Sequence, residues 1–208
     1  MTTDLWQEEI QRAIAESARL LTSLGGIAPQ LGQAAALLAA HLRNGGRLLA
    51  LGNGGSAAQA QHIVSELVGR FVLEREPLPA IALTTDTSIL TAIGNDYGFE
   101  EIFARQLRAL ARPGDVVLAI STSGNSRNVL RALGTARDLN LKTIGLTGQT
   151  GGEMARSVDL CLCVASDSTA RIQEAHLLIS HILCSLVETS CFGGRLQQTP
   201  DSGAESIA

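Results

Sequence analysis

Residues 49–66 read LALGNGGSAAQAQHIVSE. Residues 49–51 are apolar, 52–56 form a glycine–serine turn, and a helical pattern carrying His62 and Glu66 follows. Strand, tight loop and helix in that order place the loop at the carboxyl end of a parallel strand, where open α/β sheets bind ligands. A second unit of this kind, VVLAISTSGNSRNVL, occupies 116–130. Glycines let the backbone approach a ligand closely, and a helix start presents free N–H groups and the positive end of its dipole. Ser121, Thr122, Ser123 and Ser126 add hydroxyls without charge. Two such loops in one chain point to a small phosphorylated ligand.

Other phosphate motifs fit less well. GNGGSA satisfies the loose dinucleotide pattern G-x-G-x-x-A, but the acidic ribose partner has no good counterpart, Asp86 being a poor candidate. No Gly-Lys-Ser/Thr is present, so the P-loop pattern fails. Lys142 is the only lysine and stands at the start of an expected strand, away from any loop.

The chain of 208 residues is 45% hydrophobic and 3% aromatic, so Ala, Leu, Ile and Val must build the core. A net charge of −4 gives no basic face of the kind nucleic-acid backbones need. No nucleic-acid partner is expected. The opening MTTDLWQEEIQ lacks a basic segment followed by an apolar one, so no export signal is expected. No apolar run reads as long enough to span a bilayer, so no membrane role is expected. A cytoplasmic location with reduced thiols follows for Cys161, Cys163, Cys184 and Cys191. Cys161 and Cys163 share one face of an expected strand and read as small buried hydrophobes.

Apolar runs at 47–51, 80–84, 116–121, 143–147 and 160–164 are the expected strands. Helical patterns fall at 57–69, 101–111, 126–139, 151–157 and 171–190. Alternation of strands with helices, each strand nearly all apolar, predicts a parallel sheet covered on both faces. Residues 4–43 read as a helical hairpin broken at Gly25-Gly26. Its Ala/Leu faces are wider than a sheet cover needs, which predicts packing against a partner. Residues 1–192 read as a single domain, and 193–208 as a polar tail.

His62 and Glu66, at i and i+4, share a helix face and suit either a metal or acid–base chemistry. The last helical pattern offers Gln173, Glu174, His176 and His181. His181 falls beside the stripe of Leu177, Leu178, Ile182 and Leu183, where it is expected to be shielded. His41 precedes a helix end and reads as a dipole partner.

The motifs GNGGSAAQAQHIVSEL (52–67), AIGNDYGF (92–99), AISTSGNSRNV (119–129), GLTGQTGGEM (145–154) and ARIQEAHLLISHIL (170–183) resemble, in order, those of the sugar isomerase (SIS) domain family. The resemblance is strongest to its branch of aldose–ketose isomerases acting on seven-carbon sugar phosphates. It implies a flavodoxin-like three-layer sandwich with a five-stranded parallel sheet and extra N-terminal helices. The expected reaction converts sedoheptulose 7-phosphate to D-glycero-D-manno-heptose 7-phosphate through an enediol. Its product would serve the heptose of a bacterial surface glycolipid (lipopolysaccharide) or a nucleotide-activated heptose.

By the same resemblance the enzyme is a homotetramer with active sites between subunits. Zn2+ is expected on His62, Glu66, Gln173 and His181, with Glu66 and His181 as the acid–base pair. The sugar phosphate is expected on Asn53, Gly54, Gly55, Ser56, Glu66, Asn95, Asp96, Ser121, Thr122, Ser123, Ser126 and Gln173. A non-catalytic branch that binds the bacterial replication initiator is the alternative; it lacks the counterparts of Glu66 and His181. Gln173 and His181, eight residues apart, lie about 12 Å apart along a regular helix, farther than two ligands of one zinc. Either the helix begins after Gln173, or the two residues serve sites built from different subunits; the second is favoured.

Overall fold

The computed structural model describes residues 2–193, so the polar tail expected at 193–208 lies, past Gly193, outside the described residues. Helices α1 (Thr2–Ser23) and α2 (Ala28–Arg43) precede strand β1 (Leu48–Gly52) and helix α3 (Gly55–Val68). Then come β2 (Ala80–Ala82), α4 (Thr87–Tyr97), α5 (Ile102–Leu110), β3 (Val116–Ser121) and α6 (Arg127–Asp138). The chain continues through β4 (Lys142–Thr147) and β5 (Leu160–Cys163) to the long helix α7 (Thr169–Phe192). The five strands run in the order β2-β1-β3-β4-β5, and every pairing is parallel.

Alternate strand residues serve opposite faces. Leu48, Ala50, Val116, Leu118, Ile120, Ile144 and Leu146 join the core under α2, α3 and α7. Leu49, Leu51, Val117 and Ala119 join the core with Phe103, Leu107, Val129 and Leu133 of α5 and α6. Every residue of β1 and β3 is buried, as both-sided cover requires. Each such leucine contributes about 1.5–3 kcal/mol through burial. At the amino edge, Arg47 and the buried Asp115 form an ion pair of 2.7 Å. Asp115 also accepts the N–H groups of Arg47 and Arg112, tying the entries to β1 and β3 together. His41 lies in the last turn of α2 and joins the same corner through Nδ1 and the Gly114 carbonyl, 2.8 Å apart.

The order of strands puts a switch between β1 and β3, the place where neighbouring connections leave to opposite faces and a crevice opens. Both glycine–serine loops end at this crevice. Three sequence expectations are corrected. The helix expected at 151–157 is only a 3-10 turn, Met154–Arg156, because Gly151 and Gly152 both take positive φ. A helix not anticipated, α4, starts at 87, where the Asp86 side chain caps the Ile89 N–H at 2.8 Å. And α7 is, by length and composition, long and apolar enough to cross a membrane. It lies instead against the sheet and its neighbouring helices, with Ile172, Ala175, Ile179, Leu183 and Val187 in the core.

Cys161 and Cys163 are half-buried on the edge strand β5, Sγ atoms 3.6 Å apart, and burial pushes the Cys161 thiol up to about 12. His176 of α7 is fully buried and donates from Nε2 to the Thr147 carbonyl at 3.2 Å, fastening α7 to the end of β4. Its Nδ1 has no hydrogen-bond partner among the described residues. Burial lowers its pKa to about 4, so the ring is neutral at neutral pH.

The unfolded chain, with a histidine pKa of about 6.5, takes up the proton before the folded chain does. Stability is therefore expected to fall as pH drops from about 6.5 towards about 4. Melting curves across this range should show that loss in the wild type and a shallower one in His176→Gln; equal slopes would contradict it.

Candidate active site

The first loop turns at Gly54, whose φ of 55° and ψ of −121° favour glycine. A side chain at Gly55 would meet the terminal amide of Gln173, which places that side chain of α7 against the start of α3. The second loop turns at Gly124, with φ 65°, pressed against the Gly151 carbonyl. Ser121 Oγ lies 3.1 Å from Ser126 Oγ and 3.5 Å from Ser123 Oγ. Ser123 Oγ accepts the Asn125 N–H at 3.1 Å. The hydroxyls thus form one cluster.

Asn128, absent from the sequence-based set, joins the two loops. Its side-chain amide and that of Asn53 exchange two hydrogen bonds, each 2.8 Å. Asn128 is buried at the start of α6 and also caps its own helix through the Val129 N–H. Helices α3, α6 and α7 all begin at this edge, and in none does the side chain of the N-cap residue itself take up a first-turn N–H group. Three helix starts converge where a phosphate would find amide donors without any lysine. Lys142 pairs with Asp159 at 2.8 Å, at the opposite edge. A groove of about 300 Å3 runs beside the second loop, lined by Thr122, Ser123, Gln149, Thr150, Ser166, Asp167, Thr169 and Ile172. Gln149, Thr150, Ser166, Asp167, Thr169 and Ile172 of this lining stand outside the sequence-based site set, although GLTGQTGGEM is among its motifs.

Farther along α3, His62 and Glu66 meet His181 of α7. The Nε2 atoms of His62 and His181 are 2.9 Å apart, and Glu66 Oε1 lies 3.5 Å from His62 Nε2. One ligand atom of each residue lies within 4.8 Å of the other two, and all three residues are half-buried. Between two bare imidazoles only one ring can supply the hydrogen, whereas a divalent cation accepts a lone pair from each. Two imidazoles and a carboxylate are also a donor set that Zn2+ takes. The residues present therefore fit a metal.

Other expected site residues sit elsewhere. Helix α7 begins before Gln173 and continues unbroken through His181. Gln173 stands at the first loop, where its carbonyl accepts from Gln59 Nε2 at 2.5 Å. The alternative of a helix starting after Gln173 is thereby excluded. Asn95 donates to Asp96 at 2.8 Å on the exposed side of α4. Among the described residues no hydrogen bond joins that pair to the loops or to the histidines.

A profile of the SIS domain family matches residues 14–148. A phosphoheptose isomerase of Geotalea daltonii is 58% identical over 189 residues, 90% of this chain and 98% of its own. Another, from Aquifex aeolicus, is 54% identical and covers 87% of this chain and 95% of its own. Among solved structures, phosphoheptose isomerase GmhA from Neisseria gonorrhoeae matches with a TM-score of 0.84 at 46% identity, over 88% of this chain and 99% of that one. Strand order, loop positions and near-full-length similarity agree: the chain belongs to the SIS domain family and, within it, to the phosphoheptose isomerases.

Proposed function

We propose that this chain is an aldose–ketose isomerase converting sedoheptulose 7-phosphate to D-glycero-D-manno-heptose 7-phosphate. The observation that carries the reading is the meeting of two imidazoles and a carboxylate from α3 and α7 in a fold whose loops suit a phosphate. Isomerisation needs a base for the carbon-bound proton, an acid for the carbonyl oxygen, and stabilisation of the enediolate. Glu66 takes the proton from one of C1 and C2 and returns it to the other. His181 moves the second proton between the two oxygens. His62, Glu66 and His181, with Gln173 of a neighbouring subunit, would hold Zn2+, which would supply positive charge where the enediolate develops its negative charge.

The phosphate is assigned to the N–H groups and hydroxyls of Asn53, Gly54, Gly55, Ser56, Ser121, Thr122, Ser123 and Ser126. Asn95 and Asp96 complete the substrate set from α4. Ser56 and Glu66 are ten residues apart on one unbroken helix, about 15 Å along its axis. The phosphate loops and the acid–base cluster of one protomer therefore sit at different levels. A homotetramer in which the loops of one subunit face the cluster of another brings them together, and lets Gln173 reach a neighbour's zinc. The exposed Leu5, Trp6, Ile10 and Ile14 of α1, each 55–65% accessible, support such association. The enzyme is assigned to the cytoplasm and to the supply of heptose for a surface glycolipid. The adaptor reading is not carried forward, because Glu66 and His181 are both present and converge.

Incubation with sedoheptulose 7-phosphate in D2O should yield the aldose, with deuterium at C2 in those turnovers in which the proton on Glu66 exchanges with solvent before its return; no aldose after prolonged incubation would refute the function. Glu66→Gln should lose about 10²–10⁴-fold in kcat, the usual worth of a general base, with an unchanged circular dichroism spectrum. A wild-type rate would remove Glu66 from the chemistry. Trp6→Glu with Ile10→Glu should sediment as a smaller species and lose turnover; a fully active monomer would contradict the shared site.

A further inference from the structure

The segment leaving α3, residues 69–79, carries little regular structure yet is held by one buried ion pair. Glu188 lies on α7, seven residues beyond His181. Its side chain and that of Arg75 are each only 1% exposed, with Arg75 Nε 2.8 Å from Glu188 Oε1. The same carboxylate accepts the N–H groups of Phe71, Val72 and Leu73 at 2.8, 3.0 and 3.1 Å. These bonds hold the Glu188 carboxyl below the usual carboxylate range despite its burial, so the pair is ionic.

Arg75 directs further donors at the end of α3, besides one to the Glu76 carbonyl at 3.0 Å. Nη2 donates to the Glu66 carbonyl at 2.8 Å, and Nη1 to the Leu67 carbonyl at 2.8 Å. Carbonyls in the last turn of a helix have no partner within it, and a left-handed glycine commonly helps to satisfy them. Here Gly69 follows the helix with φ −76°, outside the left-handed region, and Arg75, together with the Leu78 N–H on the Leu67 carbonyl, supplies donors. On the other side, the backbone held by Glu188 places the Phe71 ring against His181, centroids 5.5 Å apart. One buried pair thus reaches Glu66 through its main chain and His181 through an aromatic contact. The pair touches neither the loops nor the reacting side-chain atoms.

We infer that Arg75 and Glu188 are positioning residues that hold Glu66 and His181 at the separation a shared zinc and a shared sugar require. The inference rests on the isomerase reading and adds to it the device that orders the cluster. A buried pair that served stability alone would change melting without changing the metal or the chemical step. A positioning pair alters both, as partners behind metal ligands do.

The test compares wild type with Arg75→Lys, which keeps the charge but loses the planar fork, and with Glu188→Gln, which keeps the shape but loses the charge. Zinc affinity is read by competition with a chromogenic chelator, folding by thermal melting, and turnover with sedoheptulose 7-phosphate. Folded variants should bind zinc about 10-fold or more weakly and lose kcat with KM nearly unchanged, since the phosphate loops are untouched. Folded variants with wild-type zinc affinity and kcat would overturn the inference.

Should neither variant fold, Phe71→Leu decides, because it keeps the N–H bonded to Glu188 and removes only the ring on His181. Weaker zinc binding or lower kcat at unchanged melting supports the inference, and wild-type values refute it. A wild type that neither binds zinc nor isomerises the sugar overturns the functional reading as well, whereas an active wild type with indifferent variants overturns this inference alone.

Discussion

Where α3 meets α7, two imidazole nitrogens and a carboxylate oxygen are held within 4.8 Å of one another, and much of the fold bears on that meeting. Each ring alone would be an ordinary half-buried histidine. Together they form a site that a bare hydrogen bond satisfies poorly and a cation satisfies well. Both helices are fixed by the same core: Ile63 and Leu67 on α3 and Ile179 and Leu183 on α7 pack against one face of the sheet. A shift of either helix would separate the three side chains. The chemistry therefore depends on apolar packing as closely as on the polar groups themselves.

The end of the site proposed for the phosphate obeys a different constraint. It has no lysine, and Arg127, at the start of α6, turns away to Glu100 at 3.3 Å. In the proposed site, attraction comes from three helix starts whose N-cap side chains take up no first-turn N–H group and from a cluster of hydroxyls. The amide pair of Asn53 and Asn128 keeps two of those starts in register. Neutral donors hold an anion without adding a mobile charge near the reacting carbons. The long axial separation between this end and Glu66 is what makes a second subunit part of the proposed site.

Much of this was legible in the amino-acid order. Strands β1, β3, β4 and β5 are short apolar runs bounded by glycine and polar turns, and each was expected within one or two residues of its observed ends. The pairing of His62 with Glu66 follows from helical spacing alone. Other features depend on distance in space. Asn128 meets Asn53 only because β1 and β3 are neighbours, which no local pattern encodes. Glu188 and Arg75 are separated by 113 residues and appear in sequence as two unrelated charges. Helix α4 was hidden because threonine, glycine and asparagine dilute its apolar period, and the double glycine at 151 undid a helix that its neighbours suggested. Part of the apolar length of α7 is accounted for by the residues it places in this core.

Diffraction from crystals grown with Zn2+ and sedoheptulose 7-phosphate tests the central claim most directly. The account predicts phosphate density on the Gly54–Ser56 and Ser121–Ser126 loops, and C1 and C2 beside Glu66 and His181 of a neighbouring subunit. An anomalous zinc peak should lie between the imidazoles. A sugar whose carbonyl carbon is bound away from both Glu66 and His181 in every subunit would contradict it.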